Sequence, residues 1–256
     1  EKTVTDAGFS LVMQQIPSCG DEVQRAAIME REKRLQGIIF LGGRLDYSPE
    51  DLAMLNVPYV CCSYSNQYGT LRIGEYSAVS IADEEAAQQA VDHLYGHGHR
   101  RIAALICRPD DQSISQLRYQ GYCKALSSHG IPLDPELVMC AGSFDIRDAY
   151  DAVCEKLRQG AEFTALFAIA DSMAIGAMRA LRDEGRAVPQ DCSVIAIDGL
   201  ELSAYIEPPL TTLCQPMEEM GQRSAQILLG LIHGHGAHCC EVLPTQLRQG
   251  GSVQDI

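Results

Sequence analysis

Residues 164–212 read TALFAIADSMAIGAMRALRDEGRAVPQDCSVIAIDGLELSAYIEPPLTT. The apolar run at 166–169 is typical of a strand that is buried on both faces of a parallel sheet. Asp171 follows it and is expected to cap a helix whose apolar side chains fall on one face. A second apolar run at 194–197 predicts the next strand, and Asp198 lies just past its carboxyl end. Ligands bind at that edge of open α/β sheets, so the segment predicts one side of a binding site.

The same alternation of apolar runs and amphipathic stretches continues along the chain. Further strands are expected at residues 9–13, 38–41, 57–61, 79–81, 102–106, 137–140 and 242–247. Further helices are expected at residues 21–35, 49–55, 84–95, 114–129, 146–158 and 218–232. Strands separated by helices of this length predict βαβ units and parallel sheets, which is an α/β fold. The chain begins with what looks like the end of a helix at 2–7, so the strand and most of the helix that should open a doubly wound domain are expected to be missing.

Size and composition narrow the class of protein. The 256 residues suffice for two domains, and 46% hydrophobic residues with a mean hydropathy of -0.06 are typical of a globular protein. A formal charge of -14 argues against nucleic-acid binding by this segment, because such binding needs a basic surface. No apolar run is long enough to span a membrane, and the first residues do not resemble a signal peptide. A cytoplasmic location is therefore expected.

The cysteines also favour a cytoplasmic location. Their number, 11, is odd, and no C-x-x-C motif occurs. We therefore expect reduced thiols, used mainly as small apolar side chains, and no disulfide framework.

The motifs of common enzymes are not found. The Gly96-His97-Gly98 triplet follows a predicted helix and precedes a strand, the reverse of the order in a dinucleotide-binding loop. Neither a P-loop nor a nucleophile elbow occurs. The run HGHGAHCC at 233–240 matches no standard zinc spacing and is interpreted as a solvated loop. We therefore expect no catalytic activity, no cofactor and no metal site.

Four residues are candidates for a binding site on their position alone. Asp83 and Asp171 each precede a predicted helix, so for both the simple interpretation is an N-cap worth about 1 kcal/mol. Asp198 begins no clear helix, and its carboxylate suits vicinal hydroxyls or a ring N–H. Arg118 lies early in a predicted helix, where spacing alone leaves a pocket residue and a surface charge equally plausible.

The segment 165–221, ALFAIADSMAIGAMRALRDEGRAVPQDCSVIAIDGLELSAYIEPPLTTLCQPMEEMG, closely resembles the effector-binding core of lactose/galactose-repressor (LacI/GalR) transcription regulators. Shorter segments that also match lie at 36–40, 98–102, 118–122 and 243–247. The resemblance implies two doubly wound subdomains joined by three crossovers, as in type I periplasmic binding proteins. Their expected extents are 1–95 with 215–238 and 96–214 with 239–256.

The resemblance also implies where an effector would bind and what it would control. The effector-binding residues expected by position are Asp83, Arg118, Phe144, Asp171, Asp198 and Gln215. Two departures from the family pattern stand out, namely Ala170 in place of an Asn and Gly199 in place of an Asp. A sugar-like effector between the subdomains of a homodimer would control operator binding by a helix-turn-helix that this sequence does not include. The alternative is a periplasmic sugar-binding protein of a transport system, which shares the fold.

Overall fold

The computed structural model describes residues 1–16 and 20–256 and contains eight α-helices and ten strands within them. The helices are α1 (Lys2–Asp6), α2 (Glu22–Lys33), α3 (Pro49–Leu52), α4 (Asp83–Gly96), α5 (Ile114–Ser128), α6 (Ile146–Arg158), α7 (Asp171–Asp183) and α8 (Met217–Ile232). The strands are β1 (Ile38–Leu41), β2 (Tyr59–Cys62), β3 (Ala78–Ile81), β4 (Ile102–Ile106), β5 (Val138–Cys140), β6 (Ala165–Ala168), β7 (Ser193–Asp198), β8 (Thr211–Cys214), β9 (Cys240–Leu243) and β10 (Gln246–Arg248). None of the described helices is both long and apolar enough to cross a membrane.

The chain folds into two compact units. The first consists of Glu1–Ile81 and Pro216–Leu243, and the second of Ala82–Gln215 and Pro244–Ile256. The chain therefore passes between the units three times, as the resemblance implies. Two of the expected boundaries are wrong. Helix α4 belongs to the second unit because it packs against α5 and against β6, β7 and β8, and β9 belongs to the first unit because it pairs with β3.

The first unit is built on a parallel sheet with the strand order β1-β2-β3-β9. Helix α8 packs against β1, β2 and β3, and α1 packs against α8. The strand expected at 9–13 is wrong, since residues 9–16 are not paired with any described strand, and Leu11, Val12 and Met13 are exposed. An apolar run becomes a strand only when a neighbour pairs with its backbone N–H and C=O groups.

The single strand expected at 242–247 is also wrong. The structure divides it into β9, which joins the first sheet in parallel with β3, and β10, which joins the second sheet antiparallel to β8. Pro244 and Thr245 lie between the two strands. Proline has no N–H to donate to a ladder, so the pairing stops there and the chain changes units.

The second unit contains a six-stranded sheet with the order β10-β8-β7-β6-β4-β5, in which only β10 is antiparallel. From β4 the chain moves to β5 on one side, and from β5 through β6 to β7 it moves in the opposite direction. Because such crossovers are right-handed, α5 lies on one face of the sheet and α6 and α7 on the other. The α/β fold with parallel sheets is thus confirmed, and this unit is doubly wound.

Helices α4 and α5 approach each other closely at Gly121. A Cβ on Gly121 would lie 2.2 Å from the carbonyl oxygen of Glu84 and 2.7 Å from the Cβ of Ala87. The absence of a side chain therefore lets the two helix backbones come together. The contact positions the first turn of α4, which begins at Asp83.

We predict that Gly121→Ala lowers the free energy of unfolding of the protein by about 1–3 kcal/mol, because the helices must separate to admit the methyl group. Chemical denaturation followed by circular dichroism measures the change. The matched control is Gly221→Ala in α8, where the new methyl group meets nothing within 4 Å. That control is expected to be neutral or stabilising by roughly 0.5–1 kcal/mol. Equal effects of the two substitutions would contradict the prediction.

Candidate functional site

The strand order of the second sheet reverses between β4 and β6. The connection after β4 leads to α5 and the connection after β6 leads to α7, and these helices lie on opposite faces of the sheet. Open α/β sheets bind ligands at such a switch point, outside the carboxyl ends of the strands. Ser113 begins α5 by accepting a hydrogen bond from the N–H of Ser115. Arg118 lies in the second turn of the helix that this cap begins.

Arg118 is buried at the centre of the candidate site, with 4% of its side chain exposed. Its Nε donates to Oδ1 of Asp83 over 2.8 Å, and its Nη1 donates to Oδ1 of Asp198 over 3.1 Å. Nη1 also donates to the carbonyl of Ile169, directly after β6. The structure thus excludes the interpretation of Arg118 as a surface charge.

Asp198 connects Arg118 to the end of the neighbouring strand. It is the last residue of β7, and its Oδ1 also accepts from Nε2 of Gln215 over 2.7 Å. The backbone N–H of Gln215 donates to the carbonyl of Asp198 over 3.0 Å. The side chain of Asp198 is 18% exposed, which is more than that of Asp83 or Arg118. Asp83, Arg118, Asp198 and Gln215 therefore form one network, with Asp198 its most accessible charged group.

Two carboxylates share one guanidinium in this network. Burial raises the pKa of Asp83, and the charge of Arg118 opposes that shift. Burial by itself lowers the pKa of Arg118, but the attraction of Asp83 and Asp198 outweighs it, so the pKa is raised. The guanidinium is thus held charged, and it compensates the two carboxylates only in part.

Asp171 belongs to a separate network beside the first. Its carboxylate is fully buried and accepts from the N–H of Leu200 over 2.8 Å and from the hydroxyls of Ser203 and Thr212, each over 2.6 Å. Nη2 of Arg248 lies 3.9 Å from it. Burial raises the pKa of Asp171, although the hydrogen bonds act in the opposite direction.

The expected helix caps are wrong for both Asp83 and Asp171. Each is the first residue of its helix, the cap positions are Ala82 and Ala170, and no side chain caps either helix. Each carboxylate instead bonds to groups that are distant in sequence. Asp83 accepts from a guanidinium, and Asp171 accepts from two hydroxyls and a backbone N–H. Charge-assisted and multiple hydrogen bonds of this kind are stronger than a single bond to a helix N–H.

The apolar side chain of Phe144 takes no part in the hydrogen-bonded network. Its side chain is 43% exposed, and its carbonyl accepts from the hydroxyl of Ser172 over 2.8 Å, which fixes the segment before α6 to the start of α7. The structure thus brings together Asp83, Arg118, Asp198 and Gln215. It places Asp171 in a neighbouring structural network and Phe144 on the exposed surface.

Three residues of the second network were not singled out from the sequence: Ser203, Thr212 and Arg248. Ser203 and Thr212 lie on either side of the Pro208-Pro209 segment, and their hydroxyls are 0% exposed, but nothing in the sequence marks them as buried. Arg248 is opposite Thr212 in the antiparallel pair of β10 and β8. Only this pairing brings it to the site.

Residues that could bind a metal are scattered. Among residues 1–16 and 20–256, no group of three or more His, Cys, Asp or Glu side chains could hold a metal ion. The ten cysteines described by the structure are all free thiols, and Cys19 lies outside the described residues. The candidate site is therefore a site of hydrogen-bond donors and acceptors.

We predict that Asp171→Ala lowers the free energy of unfolding by roughly 2–4 kcal/mol, because two buried hydroxyls and the N–H of Leu200 lose a charged acceptor. Thermal and chemical denaturation measure the loss. The control is Asp183→Ala at the other end of α7, where the carboxylate forms an ion pair with Arg179 that is largely exposed. This control should change stability little. A similar loss in both variants would show that Asp171 is not a structural centre.

Comparisons with known proteins give a consistent result. A family model described as a periplasmic binding protein-like domain matches residues 91–253, more than half of the chain. The HTH-type transcriptional regulator MalR of Clostridium butyricum is 32% identical over 255 residues, which are 99% of this chain and 75% of MalR. The HTH-type transcriptional repressor CytR of Escherichia coli K12 is 33% identical over 202 residues, which are 79% of this chain and 58% of CytR. The chain thus spans only part of each relative.

Solved structures share the fold. The transcriptional regulator CelR, in complex with cellobiose, is 31% identical, with a TM-score of 0.84 over 98% of this chain and 76% of that one. A Lac repressor dimer bound to operator and an anti-inducer is 27% identical, with a TM-score of 0.83 over 99% of this chain and 86% of that one. These relatives are regulators, not enzymes, and the alternative of a transport protein is not favoured. The chain therefore belongs to the LacI family of transcriptional regulators and covers their effector-binding core, which has the fold of the periplasmic binding proteins.

Proposed function

We propose that this core binds a small, sugar-like effector through Arg118, Asp198 and Gln215. The observation that carries the proposal is the pairing of Arg118 and Asp198 at the switch point of the second sheet. Arg118 Nη2 and Asp198 Oδ2 make no hydrogen bond within residues 1–16 and 20–256, although the neighbouring Nη1 and Oδ1 do. We take these two atoms as the donor and the acceptor that a ligand would meet.

A pair of vicinal hydroxyls fits this arrangement. One hydroxyl donates to the carboxylate of Asp198 and the other accepts from the guanidinium of Arg118. Specific small-molecule sites commonly combine a few such convergent polar groups with apolar surface. The exposed ring of Phe144 is the aromatic group that we propose for the apolar face of a sugar. The complex of the relative CelR with cellobiose supports a sugar as the class of ligand.

The two departures from the family pattern bear on which hydroxyls are bound. Ala170 offers no polar side chain at the start of α7. At Gly199 a Cβ would lie 2.5 Å from Sγ of Cys214, and φ is +77°, so no side chain fits there without rearrangement. Asp83 is bound to Arg118 and Asp171 to Ser203 and Thr212, so we assign them supporting roles. Asp198 is then the main carboxylate for the ligand.

We also propose that the chain acts as a homodimer in the cytoplasm, as part of a regulator that binds operator DNA. The relatives MalR and CytR are named as HTH-type, and the Lac repressor structure is a dimer on its operator. A helix-turn-helix outside this chain would contact the DNA, and two DNA-binding domains that bind paired half-sites require a dimer. In the second unit, Leu202 and Tyr205 are 58% and 79% exposed, and this apolar surface is suited to self-association.

We predict that a thermal-shift screen of cellobiose, other neutral sugars, sugar phosphates and nucleobases finds a ligand that stabilises the protein. A ligand at 100 times its Kd adds about 2.7 kcal/mol to the stability of the native state. Asp198→Ala should abolish that shift while the protein stays folded. The control is Glu201→Ala, an exposed acid three residues away that should keep the full shift. An unchanged shift in Asp198→Ala would show that the ligand binds elsewhere.

For the dimer, we predict that Tyr205→Asp raises the dissociation constant at least about tenfold, because a charge is placed in a surface that association desolvates. Sedimentation velocity over a range of protein concentrations measures it. Leu133→Asp, at an apolar position of the same unit that is 44% exposed, is the control and should associate like the wild type. A wild type that stays monomeric, or a Tyr205→Asp variant that dimerises normally, would refute this interface.

A further inference from the structure

The turn that follows β7 has an unusual backbone. Asp198 has a φ of 138° and Gly199 a φ of 77°, so two consecutive residues lie at positive φ. A non-glycine residue in such a conformation is strained and persists only when its surroundings hold it there. This turn, residues 198–200, also carries the carboxylate to which we assign effector binding.

Three groups hold the turn by its backbone. The carboxylate of Asp171 accepts from the N–H of Leu200, and the N–H of Gln215 donates to the carbonyl of Asp198. The guanidinium of Arg248 donates to the carbonyls of Gly199 over 3.4 Å and Leu200 over 3.1 Å. Arg248 also donates to the hydroxyl of Ser203, which itself donates to Asp171. These bonds engage the three carbonyls of the turn and the N–H of Leu200.

The chain passes between the units three times, and close to each passage lies a residue that bonds either to the turn or to Arg118. Asp83 is the second residue of the second unit and binds Arg118. Gln215 is the last residue before the second passage, and it binds Asp198 with both its side chain and its backbone. Arg248 is the fifth residue after the third passage. Gln215 and Arg248 thus join the second and third passages to the turn directly, and Asp83 joins the first passage to it through Arg118.

We propose that Arg248 is a positioning residue for the effector site. It holds Gly199 and Leu200 so that the carboxylate of Asp198 faces Arg118 and Gln215, and the turn 198–200 links that site to all three passages between the units. The proposal rests on the proposed function, because it takes Asp198 as the effector's carboxylate.

The chemistry of the contacts requires a guanidinium. Arg248 serves two carbonyls and a hydroxyl from Nη1 and Nη2, which lie in one plane. Lysine is a point charge with three donors on one atom and cannot span the same acceptors. With 31% of its side chain exposed, Arg248 retains contact with water, so its charge is not a buried one.

The test combines hydrogen exchange with ligand binding in Arg248→Ala and Arg248→Lys. In Arg248→Ala we expect exchange in peptides covering 198–205 to become about tenfold faster or more, while β6 keeps its protection, because only local hydrogen bonds are lost. Affinity for cellobiose, or for the sugar with the largest shift in the screen, should fall by a similar factor. Arg248→Lys should show the same local change in smaller measure. Arg179→Ala, an exposed arginine of α7, is the control and should change neither.

Two results would overturn the proposal. Faster exchange throughout the second unit would indicate general destabilisation, and a loosened turn with unchanged ligand affinity would separate Arg248 from the effector site. The exchange measurement needs no ligand. If no compound of the screen binds the wild type, the proposed function fails, while the exchange still decides whether Arg248 holds the turn.

Discussion

The burial of the Arg118 guanidinium is the constraint on which the second unit depends. A buried cation is tolerated only when charged partners and hydrogen-bond acceptors surround it. Here the acceptors come from the start of α4, the end of β6 and the end of β7. Because these elements must all reach one side chain, the charge sets their mutual arrangement at the switch point of the sheet.

The buried carboxylate of Asp171 imposes a second constraint of the same kind. Its acceptor oxygens bring together the first turn of α7, the turn after β7 and the strand β8. The two networks meet at Asp198 and Leu200, where one residue binds Arg118 and the other binds Asp171. The proposed effector site therefore follows from the way the fold satisfies its buried charges, and Asp198 is the more accessible of its two carboxylates.

The alternation of strands and helices and most element positions could be predicted from the sequence, because apolar periodicity and the residues that begin and end an element are local properties. The two units were implied by the resemblance to the LacI/GalR family. The strands 102–106 and the helix 146–158 agree with β4 and α6 in every residue. The expected strands at 9–13 and 242–247 were wrong, because a strand is decided by its partner and Pro244 changes the partner. The caps expected of Asp83 and Asp171 were wrong for a related reason. Their strongest donors lie far away along the chain.

By itself, the sequence determined that the chain is an α/β protein of this family and that Asp198 lies at the carboxyl end of a strand. Apolar periodicity and the order of motifs are properties of the linear sequence and do not depend on folding. Only the tertiary structure decided that Arg118 is buried, that Gln215 binds the same oxygen of Asp198, and that Arg248 reaches the turn from β10. Hydrogen bonds between residues 35 to 80 positions apart depend on sheet order and register. Those are properties of the folded chain, because a register exists only once strands have paired.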